Sequence, residues 1–325
     1  MTRLLRKSRW LLVPVMVLAL FAAACSSDGD ATPVAVPAAA TATAATEATA
    51  SVSTFPLEIT DSSDTIVVFS SAPQRIVSYS PAATEVLFAI GAGDRLVATD
   101  RFSDFPAAAL DLPKLEYSSP DPEAALAREP DLVLMVTQQR DSIEQFRDLG
   151  MTVLFLEEAD SIDGVLDYVL LLGRITGNEQ RATALAAEMR TRIETVRDAL
   201  SDVDEGPTVF FELTADLYTA GPNTFIGGMI EVLKGRNVAE GTAGDFPQLS
   251  AESVIKADPE VILLADGEFG EDAETVGGRP GWSGISAVVN GRIYAIDSDL
   301  TSRPGPRIVE GLEAMAQALY PDRFQ

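Results

Sequence analysis

Two stretches of the chain carry nearly the same text: Glu123-Ala-Ala-Leu-Ala-Arg-Glu-Pro-Asp131-Leu-Val-Leu-Met135 and Glu252-Ser-Val-Ile-Lys-Ala-Asp-Pro-Glu260-Val-Ile-Leu-Leu264. In each, a carboxylate stands seven residues before a proline, and an acid and a continuous apolar run follow it. A capping pair precedes each copy, Asp121-Pro122 and Ser250-Ala251, so Glu123 and Glu252 fall at the same position of a helix. An apolar run bounded by helices reads as a strand buried on both faces, the mark of a parallel sheet. Further on, Gly150-MTVLFLE is answered by Gly291-RIYAID. The repeat therefore predicts an α/β protein of two lobes built to one plan.

Outward from the first copy, Ile66–Phe69, Arg75–Tyr79, Asp131–Met135 and Thr152–Leu156 read as strands, and Ser142–Leu149 as a short helix. Ser80 can cap a helix with Pro81 at its first position, and Gly91 can end that helix after Ile90. Between the lobes, Ala182, Leu185, Ala186, Met189, Ile193, Val196 and Leu200 are spaced by threes and fours. That stripe predicts a helix over Asn178–Leu200, roughly 35 Å long, able to brace one lobe against the other. Glu205-Gly206-Pro207 ends the connection. The expected layout is a first lobe over 55–177, a connecting segment over 178–205 and a second lobe over 206–325.

Composition removes whole classes of function. The 325 residues hold 24 Lys+Arg against 49 Asp+Glu, a formal charge of −25, with no His and one Cys. Such a charge repels phosphate backbones, so nucleic acid is not expected as a partner. Without His there is no Ser-His-Asp or Cys-His catalysis and no imidazole zinc site. The acidic loop Asp266–Glu274 lacks the alternating oxygen pattern of a calcium hand and reads as solvated. Ser253 and Lys256 have the Ser-x-x-Lys spacing of penicillin-recognising hydrolases, but no Lys-Thr-Gly or Ser-Asp-Asn accompanies them. A Ser/Lys hydrolase is kept only as a remote alternative to a non-catalytic binding protein.

The N-terminus reads as an address. Arg3, Arg6, Lys7 and Arg9 precede the apolar run Trp10–Ala24, which is too short to span a membrane. Cys25 follows three alanines and resembles a bacterial lipoprotein cleavage box, which implies lipidation of Cys25. Ala22 stands where that box commonly has Leu, and an ordinary signal with an incidental Cys is the alternative. Residues 1–24 are thus expected to be a signal peptide, and their loss takes the charge to −29. Residues 25–54, rich in Ala, Thr, Ser and Pro, read as a disordered tether.

Six segments in order carry a resemblance: Arg75-IVSYSPAATEVLFAIGAGDRLVATD, Pro130-DLVL, Gly173-RITG, Gly221-PNTFIGG, Asn237-VA and Arg303-PGPRIVEGLEAMA. Together they resemble the cobalamin and ferric-siderophore substrate-binding proteins of ABC importers. The resemblance implies two Rossmann-like lobes joined by a single long α-helix, with little hinge motion and a ligand held in the cleft between the lobes. It implies a monomer, lipid-anchored outside the cell membrane, that hands a metal chelate to a permease served by a cytoplasmic ATPase. The family's permease-docking glutamates match Glu123 and Glu252. The helix dipole also favours an acid in a first turn, so stability alone can account for the pair.

Loops at the carboxyl ends of the strands should line the cleft. They supply Tyr79, Phe102, Tyr117, Phe246 and Arg303, of which the last four match places where the family lines its pocket. Aromatic walls suit a large flat ligand, and an arginine offers a fork for an oxygen. Tyr79 has the alternative of packing under its lobe, and Arg303 of pairing with Asp299. No cofactor and no protein-held metal are expected, because a chelate is bound whole. A corrinoid is favoured over a ferric siderophore or haem, since only Arg303, and less surely Arg101 and Arg140, is available for a polyanion. After removal of Trp10, Trp282 is the sole tryptophan and the expected fluorescence reporter of binding.

Overall fold

The computed structural model describes residues 54–324; the signal peptide, Cys25 and nearly all of the tether lie outside them. The chain enters through an antiparallel pair, β1 (Leu57–Thr60) and β2 (Ile66–Phe69). The first lobe then forms a parallel sheet from β3 (Ile76–Ser78), β4 (Leu96–Asp100), β5 (Lys114–Leu115), β6 (Leu132–Met135) and β7 (Val153–Phe155), in the order β5-β4-β3-β6-β7. Its helices are α1 (Pro81–Ala89), α2 (Pro122–Leu126) and α3 (Ile143–Asp148). As expected, Ser80 caps α1 by accepting from the Ala83 amide, and Gly91 leaves the helix at φ 77°.

Two helices follow in antiparallel contact, α4 (Ile162–Thr176) and α5 (Glu179–Ala199). The second lobe contains β8 (Thr208–Thr214), β9 (Tyr218–Thr219), α6 (Phe225–Val232), β10 (Arg236–Asn237), α7 (Ala251–Ala257), β11 (Val261–Leu264), α8 (Ala273–Gly277), α9 (Ser286–Val289), β12 (Ile293–Ala295), α10 (Ser298–Ser302) and α11 (Ile308–Leu319). Its parallel strands run β10-β8-β11-β12, with β9 antiparallel on β8.

The repeat is visible down to single dihedral angles. Glu123 and Glu252 are each the second residue of their helix. In each copy the acid before the proline sits in the left-handed region: Glu129 at φ 49°, two residues beyond the C-cap of α2, and Asp258 at φ 46°, the C-cap of α7. The acid after the proline then clamps the neighbouring strand: Asp131 accepts from the Gln74 and Arg75 amides, and Glu260 from the Thr208 amide. Gly150 and Gly291, before β7 and β12, also sit at positive φ, 81° and 64°. Here the αL geometry explains the glycines.

The connection differs from a single strut. The helix expected over Asn178–Leu200 is α5, which ends at Ala199, but α4, not expected as a helix, lies along it. Gly173 permits the contact, since a Cβ there would stand 2.2 Å from that of Ala182. The buried stripe of α5 joins α4, α11 and both sheets in one continuous apolar cluster. At its first end, Asn178 donates to the Ile90 carbonyl of the first lobe (2.9 Å). At its other end, Arg192 forms a two-point pair with Glu313 of α11 (2.9 and 2.7 Å), and Arg323 bonds the Ala199 carbonyl (3.0 Å). The brace is therefore a helix pair locked to each lobe by different groups.

The acidic loop of the second lobe is not simply solvated. Asp266 is buried beside Glu212, which holds Arg279 through two hydrogen bonds of 2.7 and 2.6 Å, and Glu271 joins the same guanidinium. Burial raises the Asp266 carboxyl above its usual range, with Arg279 and Asp266's own backbone amide opposing.

Candidate functional site

Loops at the carboxyl ends of both sheets meet in a cleft. After β4, the Asp100 carboxylate accepts the Phe102 amide (2.7 Å) and turns that ring outward. Beyond β5, Tyr117 meets Phe102 edge to face, with ring centres 5.3 Å apart and planes at 87°. Gln139 fixes the Tyr117 backbone by donating to its carbonyl (2.9 Å). From the second lobe, β12 leads into α10, which Asp297 caps, and Arg303 stands at the end of that turn.

These pieces enclose a cavity of about 280 Å³ bordered by Phe102, Tyr117, Glu158, Asp299, Arg303 and Pro304. A neighbouring cavity of about 190 Å³ shares Glu158, Ser302 and Pro304, and adds Leu213, Phe225 and Phe246. Four of the five expected lining residues are thus brought together, Phe246 in one cavity and Phe102, Tyr117 and Arg303 in the other. Tyr79 is the exception. Its ring is fully buried in the first lobe, edge-on to Phe146 at 5.8 Å, and does not border either cavity. Residue 79 directly follows β3 and is still held to the sheet, its amide donating to the Leu134 carbonyl, so its side chain packs inward.

Arg303 is not a free cation. It lies 2.5 Å from Asp104, 2.8 Å from Asp299 and 3.7 Å from Glu85. Arg307 forms a two-point pair with the buried Glu85 (2.9 and 2.6 Å) and covers the Phe105 ring at 4.1 Å. Glu85 and Asp104 belong to the first lobe, and Asp299, Arg303 and Arg307 to the second, so this cluster ties the lobes together across the cleft. Burial works against the Arg303 charge, but the Asp104 bond and the surrounding carboxylates outweigh it and raise its pKa. The Arg303 bond holds Asp104 below its usual range. Arg101 and Arg140 do not border the cavities; they pair with Glu116 (3.5 Å) and Glu157 (2.5 Å).

Glu158, in the loop after β7, was not anticipated. It borders both cavities and has no hydrogen-bond or ion-pair partner among the described residues. Although the residue as a whole is exposed, loss of water around its carboxyl raises its pKa. Burial, with the charges of Glu158 and Asp100, pushes the Tyr117 hydroxyl up to about 12. The signal for Glu158 is its place just past the end of β7, but an acid in such a loop has no sequence mark that separates it from a solvated one.

Away from the cleft, the carboxylates of Glu123 and Glu252 are exposed and make no hydrogen bond or ion pair among the described residues. Ser253 shares a hydrogen bond with Ser250 (3.0 Å) rather than with Lys256, the pairing a Ser/Lys hydrolase needs. Trp282 is buried in the second lobe under Arg279 and against Phe210, outside both cavities, so it does not report ligand by contact.

Comparison with known proteins adds four findings. Residues 76–300 match the family model described as "Periplasmic binding protein". An uncharacterized ABC transporter substrate-binding lipoprotein, YvrC of Bacillus subtilis, is 32% identical over 287 residues, covering 86% of this chain and 90% of its own length. A cobalamin-binding protein of Halobacterium salinarum is 34% identical over 277 residues, covering 82% and 75%. Among solved structures, the periplasmic heme-binding protein RhuT of Roseiflexus is similar with a TM-score of 0.69 at 28% identity, covering 78% of this chain and all of that one.

Proposed function

This chain belongs to the periplasmic binding protein family, and we propose that its cargo is an intact corrinoid, held between the lobes and passed to a membrane permease. As a substrate-binding protein it works outside the cytoplasm with the permease and ATPase of an ABC importer. Its proposed anchor is a lipid on Cys25, and its proposed docking residues are Glu123 and Glu252.

One observation carries the choice of ligand: Arg303, the arginine that borders the cavities, is engaged by three carboxylates, while Glu158 has no partner among the described residues. A ferric catecholate is a polyanion and needs uncommitted cations, which the cavity borders do not offer. A corrinoid presents a broad apolar ring for Phe102, Tyr117 and Phe246, and amide groups on its rim that can donate to Glu158. It carries its own cobalt ligands, so the lack of His is no obstacle. A corrinoid is larger than either cavity and would span both, its rim in solvent. The Halobacterium relative, named for cobalamin, agrees with this reading.

Haem is the second reading, favoured by the structural likeness to a heme-binding protein. Tyr117 is the tyrosine of the cavity that could serve as an axial ligand. Its hydroxyl is held in the neutral form by burial and by the Glu158 charge, and the same carboxylate repels haem propionates. Both effects favour the corrinoid.

Calorimetric titration with cyanocobalamin tests the proposal. Wild type should saturate at one equivalent, and Tyr117→Ala and Phe246→Ala should each weaken binding about tenfold or more, the order expected for losing one aromatic wall. No heat and no shift in unfolding temperature at a hundredfold excess would remove the corrinoid from consideration.

A further inference from the structure

The repeat holds one feature that neither the fold nor the cleft uses. In the first copy, Ala125 is buried and packs under the sheet; in the second, Val254 does the same. The residue after each is a large aliphatic that faces outward, Leu126 with 41% and Ile255 with 37% of its surface exposed. Each stands three residues after Glu123 or Glu252, which on a helix makes acid and aliphatic neighbours on one face. Around them the two copies diverge freely: Ala124 answers Ser253, Ala127 answers Lys256, and Arg128 answers Ala257.

Exposed single leucines need no explanation by themselves. Here the outward aliphatic recurs at the same repeat position in both lobes, beside an acid that also has no partner among the described residues. Packing accounts for it only in part: Ala125 and Val254 fill the apolar side of each helix and Ile255 rests its Cδ1 beside Gly281, yet more than a third of each outward aliphatic stays exposed. Capping does not account for it, because Asp121 and Ser250 fill that role.

We propose that each lobe presents a two-part docking element to the permease, Glu123 with Leu126 in the first lobe and Glu252 with Ile255 in the second. This rests on the reading of the protein as an ABC import receptor. The chemistry names the matching surface: an exposed loop of the permease carrying an arginine or lysine with an apolar side chain beside it, present twice. The acid sets orientation and encounter, and the aliphatic contact slows release. Replacing either aliphatic by alanine is expected to weaken docking several-fold, and the pair together more than tenfold.

The test uses the full-length lipoprotein in cells lacking their own copy and needs no ligand. A photo-crosslinking phenylalanine is placed at Leu126, Ile255, Ala124 or Ser253, and at Ile66, an exposed apolar residue outside the repeat, as control. Adducts are identified by mass spectrometry. Adducts to an ABC permease subunit from positions 126 and 255 but not 66, lost in the Glu123→Lys/Glu252→Lys background, are expected. Permease adducts from 124 and 253 but not from 126 and 255 overturn the aliphatic half and leave receptor docking standing. No permease adduct from any of the four repeat positions overturns the docking element and the placement of the permease on these helices together. Persistence of the 126 and 255 adducts with both charges reversed overturns the two-part element and leaves an apolar contact alone.

Discussion

Changing Glu85 to Gln probes the ion-pair cluster that joins the lobes. Glu85 is buried, and its two oxygens receive Arg307 at 2.9 and 2.6 Å with Arg303 at 3.7 Å. Removing one partner of a buried pair costs about 3–5 kcal/mol, because the remaining charge is left without compensation. Arg307 keeps some contact with water, and Asp299 stands 4.0 Å away as a weak substitute, so the cost drops to or just below the bottom of that range, about 2–3 kcal/mol. Urea unfolding at neutral pH reads this as a lower midpoint with an unchanged slope. The control is Arg192–Glu313, whose side chains are 36% and 41% exposed; Glu313→Gln should cost no more than about 1 kcal/mol. The cycle of Glu85→Gln, Arg307→Met and the double variant should return a coupling of at least 1 kcal/mol. A loss below about 0.5 kcal/mol for Glu85→Gln, or a cycle with no coupling, would refute the claim that this pair holds the lobes together.

Three further outcomes follow from the geometry. Asp104 has its pKa lowered by Arg303, so its contribution is present above the unfolded value of about 3.9 and is lost as pH falls through the folded value; the stability gap between wild type and Asp104→Asn should therefore close on acidification, as read by unfolding across pH 2–6. Gly173→Ala drives a methyl into Ala182 and should cost about 1–3 kcal/mol, seen as a lower thermal midpoint. Tyr79→Phe removes a buried hydroxyl that has no hydrogen-bond partner among the described residues, so stability should hold or rise and cyanocobalamin affinity should not change.

Much of the fold could be read locally. The proline, the flanking acids and the apolar strand of each repeat copy are decided by residues within a few positions, and those copies place β6, β11 and their preceding helices. The α5 stripe was legible for the same reason, as one face is apolar and the others charged. Its partner α4 was not: Val165, Leu166, Val169 and Leu172 are buried, and the half-buried Leu170 and Leu171 interrupt the exposed edge of Asp163, Asp167 and Arg174, which leaves a long apolar run in the sequence. Within the cleft, the rings at strand ends could be found by position, although Tyr79 shows that one residue too close to the strand packs inward. The partners of Arg303 divide by range. Asp299 lies one helical turn away and was foreseen, whereas Asp104 and Glu85 come from the other lobe, about 200 residues distant, where no local pattern reaches.

Ligand preference follows the charge of the cleft, and a paired titration reads it. Wild type and Glu158→Arg are each titrated by calorimetry with cyanocobalamin and with a ferric tris-catecholate. Wild type should bind cyanocobalamin at least a hundredfold more tightly, and Glu158→Arg should lose that preference by weakening the corrinoid and strengthening the polyanion. Tighter binding of the catecholate by wild type, or a preference that Glu158→Arg leaves intact, would contradict the account.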